Sequence, residues 1–313
     1  MLTSEPAATA HKRRAAASPP GQGVIPEQLR GMTFDGYPCS YRLLQHPSAQ
    51  TEPFVLLGGA LQDKYAWVPG EGPFRAVSDI MTIDLPGWGD VPVLPSRYGF
   101  DFLADALAAA MDHAGIAKAN IVGACYGGLI GYIFAKRHPD RAASLAMVSA
   151  QDGLSDETRA GFHRAIDALK ADDLDTFLQI VVDLYLPPSV TAAHRRRKAI
   201  ARVLRGQMRQ LPARAFDNYI QGTLRLLDFR TEFSPLPLPT LVVNGEQDTF
   251  TPPSGGRRLA DRLDASFALI DGGGHMLGLE RPVETTERIT SFILGRQTAQ
   301  TPQLPFSRAP HPI

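Results

Sequence analysis

Residues 120–134 read NIVGACYGGLIGYIF, and this stretch decides the fold. Its first part is a short apolar run, its centre is a group of small residues around one cysteine, and its last part is apolar again. The pattern predicts a buried strand that turns sharply into a helix, with Cys125 at the turn. Gly123 and Gly127 stand two positions to either side, and their lack of a Cβ lets strand and helix approach each other closely.

A cysteine at such a turn is placed to act as a nucleophile. In a strand-turn-helix elbow the nucleophile has a strained backbone that directs its side chain into the site. The first N–H groups of the helix, that of Tyr126 foremost, then point at a developing oxyanion. An isolated G-x-C-x-G segment has a second explanation, a buried cysteine in a glycine-rich turn, because cysteine often packs as a small apolar residue.

Two downstream segments favour the first explanation. VNGEQD places Asp248 just past the end of one predicted strand, and DGGGHM places His275 just past the next. The carboxyl ends of parallel strands meet at one edge of a sheet, where such sheets bind ligands. We therefore expect Cys125, His275 and Asp248 to form a catalytic triad. Asp152 also follows a strand and is an alternative acid, although Asp248 has the better sequence context.

The chain around this motif alternates short apolar runs with amphipathic helical stretches, which indicates an α/β sheet whose later strands are parallel. Residues 32–44 predict an antiparallel hairpin that turns near Asp35 and Gly36. The strand-helix alternation stops at Gln151 and resumes near Thr240. Amphipathic helices fill the interval, which predicts a helical lid inserted into the sheet domain.

These patterns divide the chain into five segments. Both ends are rich in small residues and proline, a composition typical of disorder. The predicted segments are a disordered leader (1–24), a core in two parts (25–150 and 239–296) separated by the helical lid (151–238), and a flexible tail (297–313).

Residues 32–296 resemble the α/β-hydrolase superfamily, in a variant with a cysteine nucleophile. The segments that carry the resemblance are LLGGA (56–60), DLPGWGD (84–90), GACYGG (123–128), NGEQD (244–248) and GGGHM (272–276). The order nucleophile, acid, histidine is also that of the family. The resemblance implies a mostly parallel sheet with an N-terminal antiparallel hairpin, helices on both faces and an inserted helical lid.

The resemblance also implies the second backbone donor of an oxyanion hole. That donor is expected at the N–H of Ala60, with the N–H of Gly59 as the neighbouring choice. The family often has His-Gly where this chain has Gly58 and Gly59, so a common supporting side chain is missing while a backbone donor is retained. The DLPGWGD segment is expected to shape a turn near the site and to do no chemistry.

Composition limits the classes of function. The 313 residues are 44% hydrophobic and 20% charged, and 32 basic residues balance 32 acidic ones. A net charge of zero gives no general basis for binding nucleic acid, and no apolar run is long enough to cross a membrane. Cys39 and Cys125 are too few for a disulfide framework and lack the spacing of a zinc site. We therefore expect a cytoplasmic protein without metal or cofactor.

The resemblance implies chemistry on acyl groups. His275 would take the proton of Cys125, Asp248 would orient the imidazole, and the thiolate would form a thioester with a small-molecule acyl substrate. Hydrolysis, acyl transfer or cyclisation can each resolve that intermediate, and the G-x-C-x-G-G elbow resembles those of thioesterase and cyclase domains of natural-product assembly lines. Two alternatives stay open: a lyase or cyclase that uses the His-Asp pair for proton transfer, and a non-catalytic ligand-binding protein.

The predicted lid carries a basic stripe. No acidic residue occurs from 184 to 216, and basic residues recur at three- and four-residue spacing at Arg195, Lys198, Arg202, Arg205 and Arg209. The apolar residues expected on the opposite face are Ile200, Val203, Leu204, Met208 and Leu211. The stripe is either a solvated helix surface or a binding face for an acyl carrier protein or the phosphates of coenzyme A.

Overall fold

The computed structural model describes residues 26–89, 91–186 and 194–295. The predicted leader (1–24) and tail (297–313) lie outside the described residues. Within that part of the chain, eight strands form one sheet. In chain order they are β1 (Gln28–Phe34), β2 (Tyr37–Leu44), β3 (Phe54–Leu57), β4 (Ile80–Asp84), β5 (Ala119–Ala124), β6 (Ala142–Val148), β7 (Thr240–Gly245) and β8 (Ser266–Ile270).

The sheet is mostly parallel, with strand order β1-β2-β4-β3-β5-β6-β7-β8. Strand β2 pairs antiparallel with β1 and with β4, and all other neighbours are parallel. The hairpin between β1 and β2 turns at Asp35 and Gly36, whose φ angles of 47° and 80° are those that a two-residue hairpin turn requires. The predicted sheet and its N-terminal hairpin are confirmed.

Helices cover both faces of the sheet. The α-helices of the described residues are α1 (Gly72–Arg75), α2 (Phe100–Ala114), α3 (Tyr126–Arg137), α4 (Asp156–Lys170), α5 (Leu174–Tyr185), α6 (His194–Met208), α7 (Ala213–Asp228), α8 (Pro253–Leu263), α9 (Leu277–Glu280) and α10 (Pro282–Ile293). Helices α2, α3 and α8 pack on one face, and α1 and α10 on the other. Buried side chains alternate accordingly along β5, where Ile121 and Val122 face opposite layers.

Four helices, α4 to α7, come between β6 and β7, and we call them the helical insertion. They share an apolar cluster of their own that includes Phe162, Phe177 and Tyr219. Cys125 and Ala60 pack against the same cluster, so the insertion covers the edge of the sheet where β5 ends. The insertion falls within the predicted segment 151–238, and its role as a lid stays a prediction.

Helix α6 departs from its predicted pattern at one position. Met208 is buried and Leu204 is half-buried, whereas Val203 is 52% exposed, so its assignment to the apolar face is wrong. At about 100° per residue, Val203 lies roughly 120° from the centre of the stripe that Leu204 and Met208 define. The side chains of Lys198 and Arg202 are exposed as expected, and that of Arg195 lies outside the described residues.

Candidate active site

Cys125 stands at the turn between β5 and α3. Its φ of 49° and ψ of −110° are unfavourable for a residue with a Cβ and must be enforced by the surrounding structure. A Cβ on Gly123 would lie 2.2 Å from the carbonyl oxygen of Gly127, and one on Gly127 would lie 2.6 Å from that of Gly58. Only glycine permits these approaches, so both glycines are requirements of the turn. The cysteine itself is half-buried.

Asp248 follows β7 at the same edge of the sheet and is buried. One carboxylate oxygen, Oδ1, accepts the backbone N–H groups of Phe250 at 2.9 Å and Thr251 at 2.8 Å. The other, Oδ2, accepts the Thr251 hydroxyl at 2.5 Å and lies 3.0 Å from Nδ1 of His275. The carboxylate is therefore fixed in orientation, with one oxygen directed at the imidazole.

His275 follows β8, and only 7% of the residue is exposed. Burial alone lowers its pKa, but the charge of Asp248, the hydrogen bond to that carboxylate and a hydrogen bond with Cys125 outweigh it and raise the pKa from 6.5 to about 10. Nδ1 faces Asp248, which leaves Nε2 for the thiol. The three residues predicted as a triad are thus brought together in the structure.

Asp152 lies outside this cluster. Its carboxylate forms an ion pair with Arg258 at 2.9 Å, and Arg262 approaches it at 3.5 Å. The carboxylate that contacts His275 belongs to Asp248. The two acids follow neighbouring strands but have different partners. Asp152 pairs with arginines of α8, whereas Asp248 pairs with the imidazole of His275.

Two backbone N–H groups next to Cys125 have no acceptor among the hydrogen bonds of the described residues, those of Ala60 and Tyr126. Tyr126 begins α3, where the first N–H groups of a helix lack partners within the helix. The N–H of Gly59 is already used, because it donates to Oε1 of Gln62 at 2.6 Å. This leaves Ala60 the better placed of the two predicted donors.

Three further residues support the histidine, and sequence reasoning missed them. Thr251 bridges the pair, with its hydroxyl 3.1 Å from Nδ1 of His275. The hydroxyl of Ser149 donates to the backbone carbonyl of His275 at 2.8 Å. The buried carboxylate of Glu280 accepts the N–H groups of Gly274 and Met276, each at 3.1 Å. Only Thr251 has a local signal, since it follows Asp248 by three residues as in a side-chain-capped turn.

Aromatic rings surround the imidazole. Tyr185 of α5 stacks on His275 with ring centroids 5.3 Å apart, and Phe250 meets the ring edge-on at 4.6 Å. Burial and a charge on Cys125 raise the pKa of Tyr185 and of Tyr219, so both phenols are near the thiol and stay neutral. Tyr185 and Tyr219 lie on amphipathic helices, where sequence periodicity cannot separate a site residue from an ordinary core residue.

Within the described residues, no group of three or more His, Cys, Asp or Glu side chains is arranged to hold a metal ion. In the same part of the chain, every helix is too short or too polar to cross a membrane.

This chain is similar in sequence to a protein family and to several known proteins. A sequence model of the family described as "alpha/beta hydrolase fold" matches residues 52–282. A Caulobacter vibrioides protein named "Putative carbamate hydrolase RutD" is 27% identical over 84% of this chain and 97% of its own length. The pimeloyl-[acyl-carrier protein] methyl ester esterase of Chromobacterium violaceum is 33% identical over 64% of this chain and 80% of its own.

Solved structures share the fold at lower identity. The enol-lactonase of Burkholderia xenovorans superposes with a TM-score of 0.73 at 20% identity, over 84% of this chain and 99% of that one. A thermophilic esterase from Thermogutta terrifontis superposes with a TM-score of 0.69 at 22% identity, over 87% of this chain and all of that one.

Proposed function

Because this chain belongs to the alpha/beta hydrolase fold family, we propose that it is an acyl-processing enzyme that forms a thioester on Cys125 from an ester or thioester substrate. One observation carries the proposal. His275 is buried, paired with Asp248 at 3.0 Å, and close enough to Cys125 for the thiol to help raise the pKa of the imidazole. A nucleophile, a base and an orienting acid in this order are the components that acyl transfer requires.

Acylation proceeds from a thiolate and an imidazolium, the pair that forms when the proton on Sγ of Cys125 passes to Nε2 of His275 before substrate is attacked. Asp248 stabilises the imidazolium through Nδ1. The thiolate then attacks the carbonyl carbon, and the carbonyl oxygen becomes an oxyanion. The free N–H groups of Ala60 and Tyr126 are suited to bind that oxyanion. The tetrahedral intermediate collapses, the bond to the leaving group breaks, and the leaving alkoxide or thiolate takes the proton from Nε2.

Deacylation reverses these roles with a second nucleophile. Nε2 of neutral His275 removes a proton from water, and the hydroxide adds to the thioester carbonyl. The C–S bond breaks, the acid leaves, and the Cys125 thiolate recovers the proton from the imidazolium. An alcohol, amine or thiol in place of water gives acyl transfer, and an internal nucleophile gives cyclisation.

The relatives support small acyl substrates. Their names refer to a carbamate and to a methyl ester on an acyl carrier protein. The helical insertion supports the same substrate class, since its apolar cluster covers Cys125 and includes Phe162, Phe177 and Tyr185. We propose that the insertion acts as a lid over the acyl chain, with these side chains as its wall.

The basic stripe on α6 supports an acidic carrier or coenzyme A as the group that delivers the acyl chain. Lys198 and Arg202 are exposed, and Arg205 donates to Gln179 at 2.5 Å. Arg209 pairs with Asp175. Of these, we propose Lys198 and Arg202 as the residues that meet the anionic partner, because the charges of exposed side chains steer association.

The test is hydrolysis of a panel of donors: methyl and p-nitrophenyl esters, an aryl carbamate, acyl-coenzyme A and an acylated carrier protein. We expect the wild type to hydrolyse at least one class, and Cys125→Ala and His275→Ala to lose more than about 100-fold in kcat/KM. Cys39→Ala is the matched control, because Cys39 is buried in β2 and burial raises its pKa to about 12. Activity retained in Cys125→Ala, or products of elimination with the acyl bond intact, would favour a lyase instead.

A further inference from the structure

We propose that Trp88 is a positioning residue that sets the direction of the Ala60 N–H in the oxyanion hole. The inference rests on the proposed function and assigns a role to the DLPGWGD segment beyond shaping a turn. Trp88 is buried, with 8% of the residue exposed, and its indole Nε1–H donates to the carbonyl oxygen of Gly59 at 3.0 Å.

That carbonyl belongs to the same peptide group as the Ala60 N–H. A trans peptide is planar, so its C=O and N–H point in opposite directions, and a hydrogen bond that holds one also aims the other. Trp88 pulls the Gly59 oxygen to its own side. The Ala60 N–H is thereby directed away from Trp88, and no described residue accepts it.

The rest of the loop restrains this peptide and the one before it. The Gly59 N–H donates to Gln62 Oε1 at 2.6 Å, and the Gln62 N–H donates back to the Gly59 oxygen at 3.3 Å. Leu61, which follows Ala60, has a φ of 59°, an unfavourable value for a branched side chain. The peptide between Gly59 and Ala60 is thus held in a strained loop. When the indole hydrogen bond is lost, the strain lets this peptide relax to another orientation.

The second proposed donor is held in the same manner. The Tyr126 N–H shares its peptide with the carbonyl of Cys125, which accepts the Gly128 N–H at 3.0 Å. The ring of Trp88 packs against that of Tyr126 with centroids 4.6 Å apart. One side chain therefore contacts both sides of the proposed oxyanion hole.

Helix α7 of the insertion contacts Tyr126 through Arg225. Arg225 is buried, and its Nη1 donates to the Tyr126 hydroxyl at 3.0 Å. Its Nη2 donates to the carbonyl oxygens of Leu94 and Pro95 at 3.2 and 3.1 Å. Trp88 is thus clamped between the loop after β3 and a ring that α7 holds in place, which limits the positions its Nε1–H can adopt.

The experiment compares Trp88→Phe with Trp67→Phe. Trp67 is the matched control, because it is also buried and also donates from Nε1 to a backbone carbonyl of this region, that of Leu57 at 3.3 Å. The peptide after Leu57 is not a proposed oxyanion donor. Each variant is tested for binding of an acyl aldehyde, whose adduct with Cys125 puts an oxygen in the hole, and of the corresponding alcohol, which forms no adduct.

We expect Trp88→Phe to weaken aldehyde binding roughly tenfold, less than the loss for removing an oxyanion donor itself, and to leave alcohol binding unchanged. In steady state, kcat falls and KM is retained. Trp67→Phe keeps the wild-type ratio of aldehyde to alcohol affinity. Equal ratios in both variants would overturn the inference, because they would show only loss of a structural hydrogen bond.

The experiment distinguishes failure of the proposed function from failure of the inference about Trp88. A wild type that forms no aldehyde adduct on Cys125 contradicts the proposed function, whereas a normal adduct that is insensitive to Trp88→Phe contradicts only the inference. If Trp88→Phe fails to fold, benzothienylalanine replaces tryptophan in a Trp67→Phe background, which exchanges the indole N–H for sulfur at Trp88 alone. The same tenfold loss is then expected, and an unchanged aldehyde affinity overturns the inference.

Discussion

At the scale of single residues, the mechanism proposed for Cys125 depends on the charge state of His275. A serine triad must generate its alkoxide during the reaction, whereas a thiol ionises readily beside an imidazole. Asp248 and Cys125 raise the pKa of His275 to about 10, so the imidazolium is favoured at neutral pH. An imidazolium already faces the leaving group before attack, which suits Nε2 as the proton donor that completes acylation.

Asp248→Asn should lower kcat/KM by about two to four orders of magnitude, because the amide cannot stabilise the imidazolium and disfavours the required tautomer. Steady-state kinetics on the best donor measure the loss. Asp152→Asn is the control: its carboxylate pairs with Arg258 instead of the imidazole, and near wild-type rates are expected. A larger loss in Asp152→Asn than in Asp248→Asn would reverse the assignment of the acid.

The same pair makes stability depend on pH. The pKa of His275 is raised from 6.5 in the unfolded chain to about 10 in the fold, so its contribution is fully present below pH 6.5 and is lost as pH rises through 10. Urea unfolding between pH 6.5 and 10 should show a falling free energy of unfolding in the wild type and a flatter profile in Asp248→Asn. Parallel profiles would contradict a charged pair.

Single residues were predictable where a motif surrounds them. Cys125, Asp248 and His275 each follow a strand within a short glycine-containing segment, and the structure brings them to one edge. Ser149 and Glu280 were missed because they act on backbone groups of the histidine loop, and no local pattern records that contact.

At the scale of elements, the elbow between β5 and α3 depends on the absence of side chains. Gly123→Ala would put a Cβ 2.2 Å from a backbone oxygen, so we expect the free energy of unfolding to fall by about 3 kcal/mol or more. Gly206→Ala in α6 is the control, since nothing lies within 4 Å of its Cβ position and alanine favours a helix by about 0.5–1 kcal/mol. Thermal and urea unfolding of both variants decide the point; equal stabilities would contradict the strained elbow.

The loop between β8 and α9 depends on one carboxylate. In Glu280→Gln the amide NH₂ group would face a backbone N–H of Gly274 or Met276, which leaves a buried donor unsatisfied at a cost of about 1–3 kcal/mol. We expect kcat to fall roughly tenfold with a lower melting temperature. Glu284→Gln, at an exposed ion pair with Arg281, should change neither. An unchanged kcat in Glu280→Gln would show that the loop containing His275 keeps its conformation without the Glu280 carboxylate.

Elements were predictable where periodicity and end signals agree. Helices α2 and α10 have such end signals, since Gly115 follows α2 with a φ of 74° and Pro282 begins α10. The buried face of helix α6 was less predictable, because a pattern of basic and apolar residues indicates two faces but does not fix the width of the buried one. Val203 lies at that border and is exposed.

At the scale of the whole molecule, strand order and the packing of the insertion come from long-range contacts. The sequence predicts an alternation of strands and helices, and the family resemblance implies the sheet, but neither places Tyr185 over His275. That contact joins α5 to the loop after β8 and depends on how the insertion docks.

A carrier-bound substrate would be recognised by the whole surface around α6. The double variant Lys198→Glu/Arg202→Glu should lower kcat/KM for an acylated carrier protein by roughly tenfold at low salt and leave a small ester unaffected, because only the carrier is steered by charge. The control is Arg30→Glu/Lys118→Glu, which makes the same charge change at exposed positions in β1 and just before β5. An equal loss in both double variants would show a general effect of net charge.

The proposed acyl-enzyme on Cys125 is tested by the intact mass of the protein after rapid acid quenching with its best acyl donor. We expect one added acyl group that maps to Cys125, is released by neutral hydroxylamine, persists in Cys39→Ala and is absent in Cys125→Ala. Turnover of the donor without any adduct on Cys125, or an adduct that survives in Cys125→Ala, would contradict it.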